Sequence, residues 1–305
     1  MAPAKAQTPE KEKDAPPPAP KPIWLETKDG WRIHCLYYAP KEDVREGKEV
    51  VPIIMLHGWG GQGGEYGFLA VGLQTYGYAV MVPDLRGHGR SVGRRKPDGD
   101  YLTVKYDDPK NFGPIEAKNM VNDVESAKKW LVAKNNEGEV NIEMLCVIGA
   151  EFGAALATNW AALDWSWPVT TAGKQGQDVK ALVLLSPSMQ NAKGYTCTVA
   201  LGTPAITQNL SVSIAVGEKN REALSAAKRI YSRLESARPK LPPDEGERER
   251  KQSVFWVPAD TDLQGTRLLD RNLPINVEIL KFLKRRLLWK QEDYPWSERK
   301  DPRDK

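Results

Sequence analysis

The chain of 305 residues is 40% hydrophobic and sets 44 Lys and Arg against 40 Asp and Glu, a formal charge of +4. Both signs are interspersed along most of its length, which argues against a nucleic-acid partner, and no apolar run approaches the ~18 residues of a membrane span. Cys35, Cys146 and Cys197 are odd in number and lack metal-type spacing, so they read as small buried hydrophobes, and neither a metal nor a cofactor is expected.

Residues 1–22 mix Pro, Ala and charge with little to bury and read as a disordered tether. The tether has no apolar h-region, so no signal peptide is expected within it. Such a stretch also fits an exported protein whose signal has been removed, and the compartment stays unassigned. Residues 23–27 and 31–38 alternate like a β-hairpin turning at Lys28, Asp29 and Gly30. A buried strand over 51–56 runs into His57-Gly58-Trp59-Gly60-Gly61, a glycine loop able to expose backbone N–H groups to an anion. The Gly-Lys-Ser/Thr ending of a Walker loop is missing. A strand over 78–82 is followed by a tight turn at Asp84-Leu85-Arg86-Gly87-His88-Gly89-Arg90-Ser91.

Residues 114–134 place Ala117, Met120, Val121, Val124, Ala127 and Leu131 on one helical face. The apolar run 144–148 then breaks at Gly149-Ala150-Glu151-Phe152-Gly153 and feeds an alanine-rich helix over 152–164. Strands follow at 179–185 and 210–216, a helix at 220–237, a charged loop at 241–252 and a last strand at 253–257. A helix over 276–288 turns Val277, Leu280, Phe282 and Leu283 to the sheet, and a polar tail covers 291–305. Trp160, Trp165 and Trp167 read as packing residues, with stacking against sugars or a partner as the alternative.

The glycine loop, the Asp-Leu-Arg-Gly-His-Gly turn and the Gly-x-x-x-Gly elbow, in this order, resemble the α/β-hydrolase fold. The likeness is to its lidless esterase, dienelactone-hydrolase-like and serine-aminopeptidase-like branches, and it covers about residue 23 to residue 290. It implies an α/β class and one domain over 23–290, built on a mostly parallel, doubly wound sheet with an N-terminal β-hairpin and no large cap domain.

The same resemblance locates three catalytic positions, none of which holds the side chain that a serine hydrolase needs. The nucleophile position holds Glu151, and the acid position after the strand 210–216 holds Asn220. The other acid position, at Ser186-Pro187-Ser188, also lacks a carboxylate. The histidine position falls near Gln264, and the three histidines, His34, His57 and His88, all precede the elbow. An amide cannot take the proton of a nucleophile or return it to a leaving group.

The oxyanion-hole donors implied by the family are the backbone N–H groups of Trp59 and Phe152, with Gly58, Gly60, Gly61, Gly149 and Gly153 shaping the loops around them. Glu151 begins a helix, so its carboxylate is expected to fold back into that hole or to be bridged to it by water. His34, His57, His88, Asp84 and Arg86 read as structural.

The function expected is therefore non-catalytic: a pseudo-hydrolase that binds or scaffolds, with a small-molecule or protein ligand left unidentified. Two alternatives stay open, an active hydrolase of esters or related acyl compounds using Glu151 with an unrecognised base, and a structural subunit docking through its open face.

Overall fold

The computed structural model describes residues 16–108, 110–171, 173–189 and 195–300. In chain order the strands are β1 (Lys21–Glu26), β2 (Trp31–Tyr38), β3 (Pro52–Leu56), β4 (Ala79–Pro83), β5 (Gly93–Arg95), β6 (Tyr101–Thr103), β7 (Leu145–Ala150), β8 (Val169–Thr170), β9 (Gly173–Lys174), β10 (Val179–Leu185), β11 (Ser211–Gly217) and β12 (Val254–Ala259). The helices are α1 (Gly67–Thr75), α2 (Pro114–Asn119), α3 (Val121–Asn136), α4 (Phe152–Ser166), α5 (Arg221–Ser236), α6 (Glu245–Lys251) and α7 (Ile275–Arg286).

The central sheet runs β12-β11-β10-β7-β3-β4-β2-β5-β6, with β1 on β2. From β12 to β4 every pairing is parallel, while β1, β2, β5 and β6 pair antiparallel. Strands β3, β4, β7 and β11 are buried at every position because helices cover both faces of the sheet. On one face Ile54, Leu56 and Val147 pack with Val124, Leu131, Leu156, Trp160 and Ile230 of α3, α4 and α5. On the other, Ile53, Met55 and Ile148 pack with Leu69, Leu73, Ile279, Phe282 and Leu283 of α1 and α7. Each such side chain contributes roughly 1.5–3 kcal/mol by leaving water. Among the described residues no helix is long and apolar enough to cross a membrane.

Several boundaries differ from the sequence reading. The single helix expected over 114–134 is two, α2 and α3, which meet at Met120. There the Asp123 N–H reaches back only to the Met120 carbonyl, a tightened three-residue turn. The charged stretch 241–252 contains α6, begun by Asp244, whose carboxylate accepts from the Glu247 N–H at 2.8 Å. Val277 is 52% exposed, and Ile279 takes its place toward the sheet.

Both ends of the domain are tied down further than the composition suggests. Lys21 and Pro22, placed in the tether by composition, pair with Tyr37 and Leu36, and the Gln74 amide donates to the Pro18 carbonyl at 2.8 Å. The rest of the expected tether, residues 1–15, lies outside the described residues. The polar segment after 291 is clamped beneath the sheet. Asn141 and Asn135 side chains donate to the Tyr294 and Ser297 carbonyls, each at 2.9 Å, and Arg299 is only 6% exposed. Its guanidinium bonds Glu143 at 3.0 Å and also Asp178, which is shared with Lys128 and Lys174.

Candidate functional site

Strand β7 ends at Ala150, and the next residue, Glu151, turns the chain sharply into α4 at φ +50° and ψ −107°. A non-glycine residue in this region is strained, at about 1–3 kcal/mol. The turn is held by the Glu151 N–H donating to the Leu185 carbonyl at 2.9 Å and by the Ala154 N–H donating to the Glu151 carbonyl at 3.1 Å. It is possible only because the flanking residues are small. A Cβ on Gly149 would lie 2.3 Å from the Gly153 carbonyl oxygen, and one on Gly153 would lie 2.2 Å from the Leu56 carbonyl oxygen. Glycine therefore lets strand β7, helix α4 and strand β3 approach to backbone contact.

The Glu151 side chain is exposed at the carboxyl end of the sheet. Its Oε2 lies 2.8 Å from where a Gly58 Cβ would be, and its Cδ lies 2.9 Å from where a Gly265 Cβ would be. The carboxylate thus lies between the loop after β3 and the loop after β12. The carboxylate makes no capping hydrogen bond to the first turn of helix α4. It turns over Gly58, the residue before Trp59, on the side of the expected oxyanion loop. The Trp59 ring packs edge-on against Phe152, at 5.1 Å between centroids, and against His88 and Phe112, forming an aromatic wall behind the loop.

Gln264 lies in the loop after β12, just before a short 3-10 turn over Gly265–Leu269, and is buried. Its Oε1 accepts from the Ser186 hydroxyl at 2.6 Å, and its Nε2 donates to the Gly217 carbonyl at 3.0 Å. Ser186, at φ +49° directly after β10, also accepts from the Gly265 N–H at 2.9 Å. Glu151 and Gln264 are therefore brought together through Gly265. Asn220 is not: its side chain accepts from the Ala223 N–H at 3.0 Å and caps α5. Ser186, noted in the sequence only for lacking a carboxylate, is the side chain that faces Gln264.

Two further groups border the site. Glu65 accepts from the Thr266 hydroxyl at 2.6 Å and from the Gln62 N–H at 3.0 Å, joining the loops after β3 and β12. Tyr66 is fully buried and donates to the Leu56 carbonyl at 2.9 Å. Burial, together with Glu65 and Glu151, pushes its phenol well above its ordinary range, so it stays neutral.

The three histidines have structural partners. The Leu85 N–H donates to His57 Nε2 at 3.0 Å, which leaves the proton on Nδ1, 2.7 Å from the Gly58 carbonyl oxygen. Burial lowers the His57 pKa, and burial with His57 nearby pushes His88 down to about 4. His88 stacks on Tyr106 at 4.3 Å, and His34 Nδ1 lies 3.3 Å from Asp84. Asp84 also accepts from the Gly63 and Arg90 N–H groups at 2.8 and 3.0 Å. Arg86 is fully buried, with Asp29, Glu116 and Asp123 at 2.6, 3.2 and 2.7 Å.

This sheet order with a strained turn after the central parallel strand defines an α/β-hydrolase fold. The chain belongs to the family described as serine aminopeptidase, S33, which matches residues 48–238, more than half of its length. Among solved structures it is similar to an esterase of Pyrococcus furiosus at 17% identity and a TM-score of 0.55, covering 88% of this chain and 91% of the other. A Xanthomonas campestris α/β serine hydrolase without a lid matches at 14% identity and a TM-score of 0.52, covering 92% and 98%. A dienelactone hydrolase of Anabaena variabilis matches at 12% identity and a TM-score of 0.52, covering 90% and 99%. No curated protein sequence matches the chain.

Proposed function

We propose that this chain is a non-catalytic member of its hydrolase family, a binding or scaffold module built on a site that no longer performs acyl transfer. The observation that carries the proposal is the Gln264 amide, fixed by Ser186 and Gly217 beside Glu151. A serine-type hydrolase needs an imidazole there to take and return a proton, and an amide does neither. The turn that should present a nucleophile presents a carboxylate instead. With Oε2 against Gly58, its charge lies next to the backbone that would stabilise an oxyanion, and two like charges at such range repel. Tyr66 is held neutral and His57 has both ring nitrogens engaged, so neither serves Glu151 as a base.

The test is hydrolysis of short-chain p-nitrophenyl esters by the wild type beside Glu151→Ser/Ser186→Asp/Gln264→His. The acid is restored at Ser186 because that residue faces Gln264, and a companion variant restores it at Asn220. A flat wild type with turnover in the Ser186-based variant supports the reading. Wild-type turnover abolished by Glu151→Gln overturns it in favour of a carboxylate-based hydrolase.

A further inference from the structure

Strands β10, β11 and β12 run parallel to β7, so the segment preceding β12 lies at the end of the sheet opposite Glu151. A cavity of about 790 Å³ opens there between the end of α5, the α6 segment and the start of β12. Five cations line it, Arg238, Lys240, Arg250, Lys251 and Lys290, against one carboxylate, Glu235. Glu235 is itself engaged, accepting from the Tyr231 hydroxyl at 2.8 Å. Lys251 has Glu247 at 3.5 Å and Lys290 has Asp293 at 4.0 Å, both pairs near the surface.

Deeper in, the charge is unbalanced. The Arg238 guanidinium donates to the carbonyls of Ile206, Gln208 and Leu210, and its Nε is buried without a partner. Arg286, 5% exposed, donates to the Ser211 hydroxyl at 2.8 Å and to the Arg250 carbonyl at 2.9 Å. Neither arginine has a carboxylate within ion-pair distance among the described residues. Burial and the neighbouring Arg286 push Arg238 down to about 10, the direction expected for cations crowded together out of water. A buried cation without a counter-ion is costly, and an incoming anion removes that cost.

We infer that this cavity is a binding site for an organic phosphate: Arg238, Lys240 and Arg250 take the anionic group, and Tyr231, Leu241 and Val254 take an apolar body. Arginine and lysine together suit phosphate, the first through its planar fork and the second as a point charge. The volume lies in the range of small-molecule sites, and the apolar wall distinguishes the site from a bare basic patch. The inference stands independently of whether the Glu151 site is catalytic.

The probes are 2-naphthyl phosphate and inorganic pyrophosphate, titrated calorimetrically into the full chain. Lys240→Ala/Arg250→Ala removes two exposed side chains and keeps the fold, as an unchanged melting temperature will verify. Lys228→Ala/Arg229→Ala on α5 makes the same change in net charge outside the cavity. The expected result is 2-naphthyl phosphate binding that weakens about tenfold or more in the first variant and less than about twofold in the second. Absence of binding at millimolar probe, equal loss in both variants, or no loss in either overturns the inference. So does pyrophosphate binding as tightly as the naphthyl ester, since the apolar wall would then have no role.

Discussion

Ser186 Oγ donates to Gln264 Oε1 at 2.6 Å, bridging the loops after β10 and β12 across 78 positions of sequence. The same oxygen accepts from the Gly265 N–H, so one hydroxyl satisfies two buried groups. Ser186→Ala strands the Gly265 N–H and leaves Gln264 Oε1 only the longer bond from the Gly217 N–H at 3.4 Å, and the expected loss is about 1–3 kcal/mol of stability, read as a lower urea midpoint at unchanged slope. Asn220→Ala removes only a helix cap, at about 1 kcal/mol, and leaves the Gln264 bonds intact.

Two glycines of the elbow region separate steric need from side-chain placement. A Cβ on Gly153 meets the Leu56 and His57 carbonyl oxygens at 2.2 and 2.6 Å, and neither backbone can withdraw. Gly153→Ala is expected to lose more than about 3 kcal/mol or to abolish soluble expression. At Gly58 the nearest atom is Glu151 Oε2, the end of a flexible side chain. Gly58→Ala is expected to stay within about 1 kcal/mol of the wild type while displacing the carboxylate. Equal melting temperatures for the two variants would contradict the close backbone approach.

The stacked pair His88 and Tyr106 sets a pH dependence. Burial and the nearby His57 move His88 from 6.5 to about 4, so between these values the unfolded chain binds a proton that the native protein does not. Stability is full above pH 6.5 and falls as pH drops toward 4. His88→Phe keeps a ring against Tyr106 and removes one titrating group. Urea midpoints measured across this window should then show a shallower slope than in the wild type, with His57 supplying what remains.

At the end of the sheet where β7 and β10 begin, Arg299 anchors the last described segment. Burial pushes Asp178 up, but Lys128, Lys174 and Arg299 outweigh it and hold the carboxyl down to about 2. The native form thus stays ionised where the unfolded form, at 3.8, begins to protonate, and this contribution is lost as pH falls from about 4 to about 2. Arg299→Met leaves the buried Asp178 with two lysines, and about 2–4 kcal/mol should be lost at pH 7. Native-state proteolysis should then release the segment after residue 291 first.

The parallel strands were legible because each is a short apolar run covered on both faces, as 145–150 and 51–56 are. The turn at Glu151 was legible because Gly149 and Gly153 bracket it, and the contacts a Cβ would meet there explain why both are glycine. Side-chain partnerships were not legible. Asn220 falls where the family places an acid, yet its rotamer serves the first turn of α5, a choice made by local backbone geometry that motif spacing does not encode. Ser186 acquires its role from a loop 78 residues away. Likewise, Arg299 looked like tail charge because its partners, Asp178 and Glu143, meet it only after the sheet has formed. α6 carried a readable start signal in Asp244 and Glu247, which the surrounding run of charge obscured.

Arg86 joins parts of the chain that no strand pairing connects: the turn of the N-terminal hairpin through Asp29, helix α2 through Glu116 and helix α3 through Asp123. It sits two residues before His88, whose ring belongs to the aromatic wall behind the glycine loop. Under a pulling force applied at the hairpin turn, load would pass to α2 and α3 through this guanidinium and, in parallel, to the 84–91 turn through the bonds of His34 with Asp84 and Ser91. The turn bearing His88 is thereby coupled mechanically to the antiparallel edge of the sheet as well as to the helices that cover it.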